Sequence, residues 1–293
     1  MRAAVSIPYS KRVEPGPVPP AERSIPAVTV GGLKIACLSR SALASLMVAQ
    51  CLDQRGRERA MPKLVFAANG HVISLAAAND EFRRHHEVAD LIHADGQSVV
   101  AASRFTRNPI PERSATTDFF HDAAHAARKH GLRVFFLGGR EDVNARCVAT
   151  MRDMYPGLQI VGRHHGYFRQ DEEPALCARI NASRADIVWV GLGIPLEQAF
   201  CVRNRDRLRA AGLVTAGGCY NYVTGDYARA PVWMQRAGLE WLHRLWREPR
   251  RLFVRYAFTN PHAIFLMLTR TSSLKGSAAH LTPEESRLQP GLG

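Results

Sequence analysis

Short apolar runs alternating with helix-period segments constrain this chain more than any other feature. Val28-Thr29-Val30-Gly31-Gly32-Leu33-Lys34-Ile35 reads as a tight hairpin around Gly-Gly. Beyond it, strands are predicted over 63–68, 90–94, 133–137, 158–162, 186–190 and 212–216. Between them, helical patterns fall at about 40–53, 70–79, 97–106, 116–130, 141–154, 172–183 and 195–210. Strands separated by helices imply right-handed crossovers, so the expected class is α/β: a mostly parallel, Rossmann-like sheet covered by helices. Residues 28–228 would form this core. Residues 1–27, with Pro8, Pro15, Pro17, Pro19, Pro20 and Pro26, read as a disordered tail. A helical, arginine-rich appendage is expected over 229–270 and a polar, flexible tail over 271–293.

In such sheets ligands sit outside the carboxyl ends of the strands. Asn69-Gly70 follows the first core strand and Asp95-Gly96 the second. Gly138-Gly139, Gly191-Leu192-Gly193 and Gly217-Gly218 follow three others. Glycine turns let backbone approach a phosphate closely, and helix N-termini add N–H donors. One such turn means little; all of them together favour a phosphate-bearing ligand. Gly-x-Gly-x-x-Gly is absent, because Gly191-x-Gly193 continues as Ile-Pro-Leu, and there is no Gly-x-x-x-x-Gly-Lys-Ser/Thr. Asp-x-Asp, which often holds a divalent metal in enzymes cleaving nucleotide sugars, is missing too. Fixed cations would then have to offset a departing diphosphate.

Those cations are at hand. The 293-residue chain carries a formal net charge of +13, which points to an anionic partner: nucleic acid, phospholipid or a phosphorylated small molecule. Only Lys11, Lys34, Lys63, Lys129 and Lys275 are lysine. A GC-rich coding sequence accounts for the arginine excess as readily, but not for its clustering after Arg229. There Arg229, Arg244, Arg247, Arg251 and Arg255 mingle with Trp233, Trp241, Trp246 and Tyr256. Arginine's planar fork suits phosphate, and amphipathic aromatics suit a boundary oily on one side and wet on the other. No run reaches the about 18–20 apolar residues a span requires. The nearest, Phe253 to Leu268, is interrupted by Arg255, Asn260, Pro261 and His262, so it is expected to lie on a membrane and not to cross it. Scattered Cys37, Cys51, Cys147, Cys177, Cys201 and Cys219 fit reduced thiols in a cytoplasmic protein. The N-terminus lacks a signal peptide's apolar core.

Several short motifs carry a family likeness. They are Asn69, Ala94-Asp95-Gly96, Pro111-Glu112-Arg113 with Asp118, and Phe136-Leu137-Gly138-Gly139. Tyr155-Pro156-Gly157-Leu158, Gly166-Tyr167-Phe168, Gly191-Leu192-Gly193-Ile194-Pro195 and most of the 217–256 stretch follow in order. From about residue 28 to 256 the chain resembles the WecG/TagA/CpsF glycosyltransferases, bacterial enzymes that extend an undecaprenyl-diphosphate-linked sugar. The resemblance implies an inverting, metal-independent transfer from a UDP-sugar, with no cofactor, in exopolysaccharide or related glycopolymer synthesis. It implies Asp95 as general base with Asn69 beside it. It also implies a C-terminal appendage that lends arginines to the site and engages an anionic membrane on the inner face of the plasma membrane. The donor site is expected to draw on Gly138, Gly139, Gly191, Gly193, Glu197, Gln198, Gly218, Asn221, Arg229, Arg244, Arg247 and Arg251.

The chain departs from the pattern at Ala67, where Thr is usual, and at Asn221, where Asp is usual. Pro195-Leu196-Glu197-Gln198 replaces Pro-Lys-Gln-Glu, and Thr116-Thr117 replaces Gly-Ser. Donor identity rests on these positions. Plainer readings stand beside the functional ones. By position alone Asp95 is better read as an N-cap for the helix at Gln97, a preference that the resemblance reverses. Asn69 is equally a cap or turn residue. The arginines could form a solvated face, with Pro249 breaking their stripe. Any one of the tryptophans is better read as core. His85-His86 and His164-His165 are read as turn residues, and no metal is assigned. A nucleic-acid-binding protein would explain the charge but leaves the glycine turns unused, and no nucleic-acid partner is expected. Another nucleotide-dependent enzyme would explain the sheet but not the missing fingerprint. A homo-oligomer is left open.

Overall fold

The computed structural model describes residues 25–55 and 61–274. The tails expected at the two ends therefore lie outside the described residues over 1–24 and 275–293. β1 (Ala27–Val30) and β2 (Leu33–Ala36) form the expected antiparallel hairpin, followed by α1 (Arg40–Gln54) and β3 (Lys63–Ala68). Next come α2 (Gly70–Ala78), α3 (Asp80–Glu87), β4 (Leu91–Ala94), α4 (Gln97–Ser103) and α5 (Thr116–Lys129). β5 (Arg133–Gly138), α6 (Glu141–Met154), β6 (Gln159–His164), α7 (Glu173–Ala182), β7 (Ile187–Gly191) and α8 (Leu196–Asn204) continue the alternation. β8 (Gly212–Thr215) and α9 (Cys219–Val223) lead to α10 (Val232–Arg236), α11 (Glu240–Arg247), α12 (Pro249–Thr269) and β9 (Ser272–Ser273).

Strands β3 to β8 make one six-stranded sheet in the order β4-β3-β8-β7-β5-β6, and every neighbouring pair is parallel. The α/β class read from the alternation is the class observed. Side chains of a strand point to opposite faces in turn. Leu64 and Phe66, Phe135 and Leu137, and Val188 and Val190 enter one core with Val72, Ile73, Val99, Ile180 and Phe200 from the helices. Val65, Val134 and Phe136, Ile187 and Trp189, and Val214 enter the other with Leu43, Met47, Phe119, Phe120, Met151 and Tyr220. A strand covered on both faces has no polar side to show, which is why KLVFAA and RVFFL read as continuous apolar runs.

Local chemistry sets the helix starts. Ser39 Oγ accepts from Ala42 N–H to cap α1, and Asn79 Oδ1 accepts from Phe82 N–H to cap α3. The helix expected to run to residue 210 stops at Asn204. That side chain is buried and donates to Glu173 (2.7 Å) and to the Phe200 carbonyl, and the chain then turns. As expected, Pro249 separates two helices in the arginine-rich stretch: α11 ends at Arg247, and α12 begins at the proline. α12 packs on α2, burying Ala263, Leu266 and Met267 in the first core, and Ser74 Oγ meets His262 Nδ1 at 2.9 Å. β9 then adds to the hairpin beside β1. All six cysteines are free, and all but Cys37 are buried.

Candidate active site

A cleft of ≈ 1310 Å³ opens over the carboxyl ends of the sheet strands. Its walls come from the turns after β3, β4, β5, β7 and β8, and from α11 and α12. The sequence-predicted residues Asn69, Asp95, Gly139, Gly191, Gly193, Glu197, Gly218, Asn221 and Arg244 all line it. The others lie apart. Gly138 underlies the edge, Gln198 is buried in α8, and Arg247 is exposed on α11. Arg229 is engaged with Asp118, with Nη2 2.8 Å from Oδ2, and both side chains are almost fully buried. The Arg251 side chain lies outside the described residues.

Asp95 follows β4, its backbone N–H bonded to the Ala68 carbonyl at 2.8 Å. It does not cap α4: the N-cap there is Gly96, with no side-chain bond. Its carboxylate instead accepts from the Thr116 N–H that opens α5 (2.7 Å, Oδ1) and from the Asn69 amide (3.0 Å, Oδ2). The α5 N-terminus favours negative charge there. Asn69 stands beside Asp95 and is also the N-cap of α2, its Oδ1 accepting from Val72 N–H (3.2 Å). Burial pushes the Asp95 carboxyl up. Arg113, Thr116 N–H, Asn69 and His93 outweigh burial and hold it below the ordinary carboxylate range. Asp95 is therefore an anion at any physiological pH. Its two oxygens offer about four acceptor positions, so two hydrogen bonds leave room for an incoming hydroxyl.

Glu197 behaves in the opposite way. Its Oε2 accepts from Gly193 N–H (3.2 Å) and Gly217 N–H (3.0 Å), which ties together the turns after β7 and β8. Burial, reinforced by the nearby Asp95, pushes its carboxyl up to about 8 against the relief of those N–H groups. Gly138 explains why the edge needs glycine. Its φ is +125°, and a Cβ there would sit 2.2 Å from the Gly191 carbonyl oxygen. Tyr220 locks α9 beneath this edge by donating to the Trp189 carbonyl at 2.8 Å.

Several cleft residues escaped the sequence reading. Arg113 donates through Nε to the Asp95 carbonyl (2.6 Å) and pairs with Glu240 at the start of α11. The Pro-Glu-Arg triplet that carries it was visible, but nothing in the spacing told where its side chain would go. His71 lines the cleft as a neutral imidazole, pushed down to about 4 by burial and by Arg255. Arg255 also lines the wall, 4.9 Å from the Tyr256 ring centroid. The guanidinium of Arg244, which the sequence reading did name, lies 6.0 Å from the Tyr222 ring centroid and has no side-chain hydrogen bond or ion pair among the described residues. Arg146 is paired bidentately with Asp226 at 2.9 and 2.7 Å on the same rim. Among the described residues no group of three His, Cys, Asp or Glu side chains could hold a metal ion.

A parallel sheet whose carboxyl edge opens on an anionic aspartate, glycine turns and arginines has the layout of an α/β enzyme. Residues 28–276 match the model of the Glycosyl transferase WecG/TagA/CpsF family, and the chain belongs to that family. It is a glycosyltransferase of cell-surface glycopolymer synthesis.

Proposed function

We propose that the chain is an inverting, metal-independent glycosyltransferase that moves a sugar from a UDP-sugar to an undecaprenyl-diphosphate-linked acceptor. The observation that carries this reading is the anionic Asp95 on the floor of the cleft with Arg244 on its wall. Asp95 takes the proton of the acceptor hydroxyl as that oxygen bonds to the anomeric carbon. The bond from that carbon to the diphosphate oxygen breaks on the far face, and UDP leaves with the electron pair. A carboxylate of low pKa accepts the proton late, when the attacking oxygen has already become acidic. Arg244 and Arg255 offset the charge gathering on the diphosphate, the role that a divalent cation would otherwise take.

The acceptor lives in a bilayer, and the same two helices suit that setting. α11 and α12 turn Trp241, Arg244, Arg255, Tyr256 and Ile264 to the cleft. They leave Trp246, Phe253, Phe258, Phe265 and Leu268 exposed outside it. No helix among the described residues is long and apolar enough to cross a membrane. Peripheral attachment through this aromatic and arginine-rich face, on the inner side of the plasma membrane, would bring the cleft to its acceptor. A ligand screen tests the reading. UDP is expected to bind, and NAD and single-stranded oligonucleotides are not. Binding of NAD alone, or of oligonucleotide alone, would overturn it.

A further inference from the structure

Two carboxyl groups of the cleft, Asp95 and Glu197, stand in opposite settings. Asp95 is met by the Arg113 guanidinium, a helix N-terminus and an amide. Glu197 is more deeply buried than Asp95, at 3% exposure, and has no ion pair among the described residues. The titratable groups around it are all acids: Asp95 beyond β4, Tyr220 on α9, and Cys201 one turn further along α8. The arginines of the cleft are engaged elsewhere: Arg113 with Asp95 and Glu240, Arg140 with Asp142, Arg146 with Asp226, Arg244 beside Tyr222 and Arg255 beside Tyr256. Both hydrogen bonds to Glu197 fall on Oε2. Oε1 has no protein partner among the described residues, on a side chain that lines the cleft.

We propose that Glu197 is a neutral carboxylic acid that clasps the two glycine turns with one oxygen and offers an O–H hydrogen bond from the other to the bound nucleotide sugar. The ligand named here rests on the UDP-sugar reading above. Burial without a cation beside it disfavours a charged carboxylate, and the ionised Asp95 adds to that, so Glu197 is left protonated. A neutral acid also suits the ligand, because an ionised Glu197 would repel a diphosphate. In shape and hydrogen bonding a protonated glutamate imitates glutamine: one oxygen accepts two N–H groups, and the other end donates. Raising the pH removes the donor and adds a negative charge in one step. The rise of its carboxyl to about 8 agrees with this assignment and sets where the step falls.

The test reads the carboxyl directly. Infrared difference spectra between wild type and Glu197→Gln at pH 7 are expected to show a protonated-carboxyl C=O band that fades by about pH 9.5. Wild-type affinity for UDP is expected to fall as pH climbs above about 8, by up to about tenfold per unit for one titrating group. Glu197→Gln is expected to lose that alkaline fall, and Glu197→Ala to bind more weakly at every pH. Should Glu197→Gln fail to fold, carboxyl-carbon NMR of the wild-type protein across the same pH range reads the same titration. A carboxyl already ionised at pH 7, or an alkaline limb that persists in Glu197→Gln, overturns the proposal. A protonated band in a protein that binds no UDP at any pH overturns the ligand named here and the nucleotide reading together, while the neutral acid stands.

Discussion

Asp95 and Glu197 show how neighbours, not residue type, decide what a carboxyl does. The consequence for stability differs in sign. Asp95 is depressed, so its stabilising share is present above its unfolded value of 3.8 and is lost only as pH falls through the still lower folded value. Between pH 5 and 8 its protonation is expected to leave both stability and activity untouched. Glu197 is raised from 4.5 to about 8, so the folded chain holds a proton that the unfolded chain releases. Stability is expected to fall as pH rises across that window, and urea titrations of Glu197→Gln should lack this slope; an identical slope would contradict the assignment. Arg229 is a different case. Expected at the donor site, it sits bidentate on buried Asp118, which also lies 3.5 Å from Arg40. Breaking a buried pair leaves an uncompensated charge and costs about 3–5 kcal/mol. Arg229→Met is therefore expected to lower unfolding stability by about that much, with UDP affinity at pH 7 following the folded fraction. A fully stable variant with weakened UDP binding would return Arg229 to the donor site.

At the scale of elements, the strands were legible because burial on both faces leaves uninterrupted apolar runs. α3 was not. Only Phe82 and His86 of its eight residues are buried, so it has no apolar period to read, and it forms on Asn79 capping and contact with α2. The turns after the strands were legible as glycines, yet sequence could not rank them. Gly138 tolerates no side chain, whereas Gly157, in the turn from α6 into β6 and at φ +90°, faces open space, with nothing within 4 Å of where a methyl would stand. Gly157→Ala is expected to cost only backbone strain, about 1–3 kcal/mol. Gly138→Ala adds a clash with the Gly191 carbonyl and is expected to lower the melting temperature much further. Equal melting temperatures would refute the close approach of β5 to β7. Asp95 and Asn69 could be located from the strand ends, but Arg113 and Glu240 could not, because a loop and a later helix fold back from afar to reach the cleft.

At the scale of the whole molecule, α11 and α12 join the cleft over the sheet edge to an exposed aromatic face. Each basic side chain near an anionic bilayer is worth about 1 kcal/mol, and salt weakens that attraction. Flotation with anionic liposomes is expected to fall with rising salt. It should fall further in Trp246→Ser/Phe253→Ser/Phe258→Ser, which alters exposed side chains only. Flotation unaffected by both would remove the membrane face from the account. Transfer is expected to survive EDTA; loss with EDTA and recovery with magnesium or manganese would show that arginines do not replace a metal. Asp95 and the transfer itself can be tested together. Wild type and Asp95→Asn would be given a panel of labelled UDP-sugars with membranes carrying lipid-linked acceptor. Wild type is expected to move label from one donor to lipid with inverted anomeric configuration. Asp95→Asn is expected to be slower by about 10²–10⁴-fold, with UDP still bound. Near-normal turnover by Asp95→Asn, or no transfer by wild type from any donor, would contradict the account.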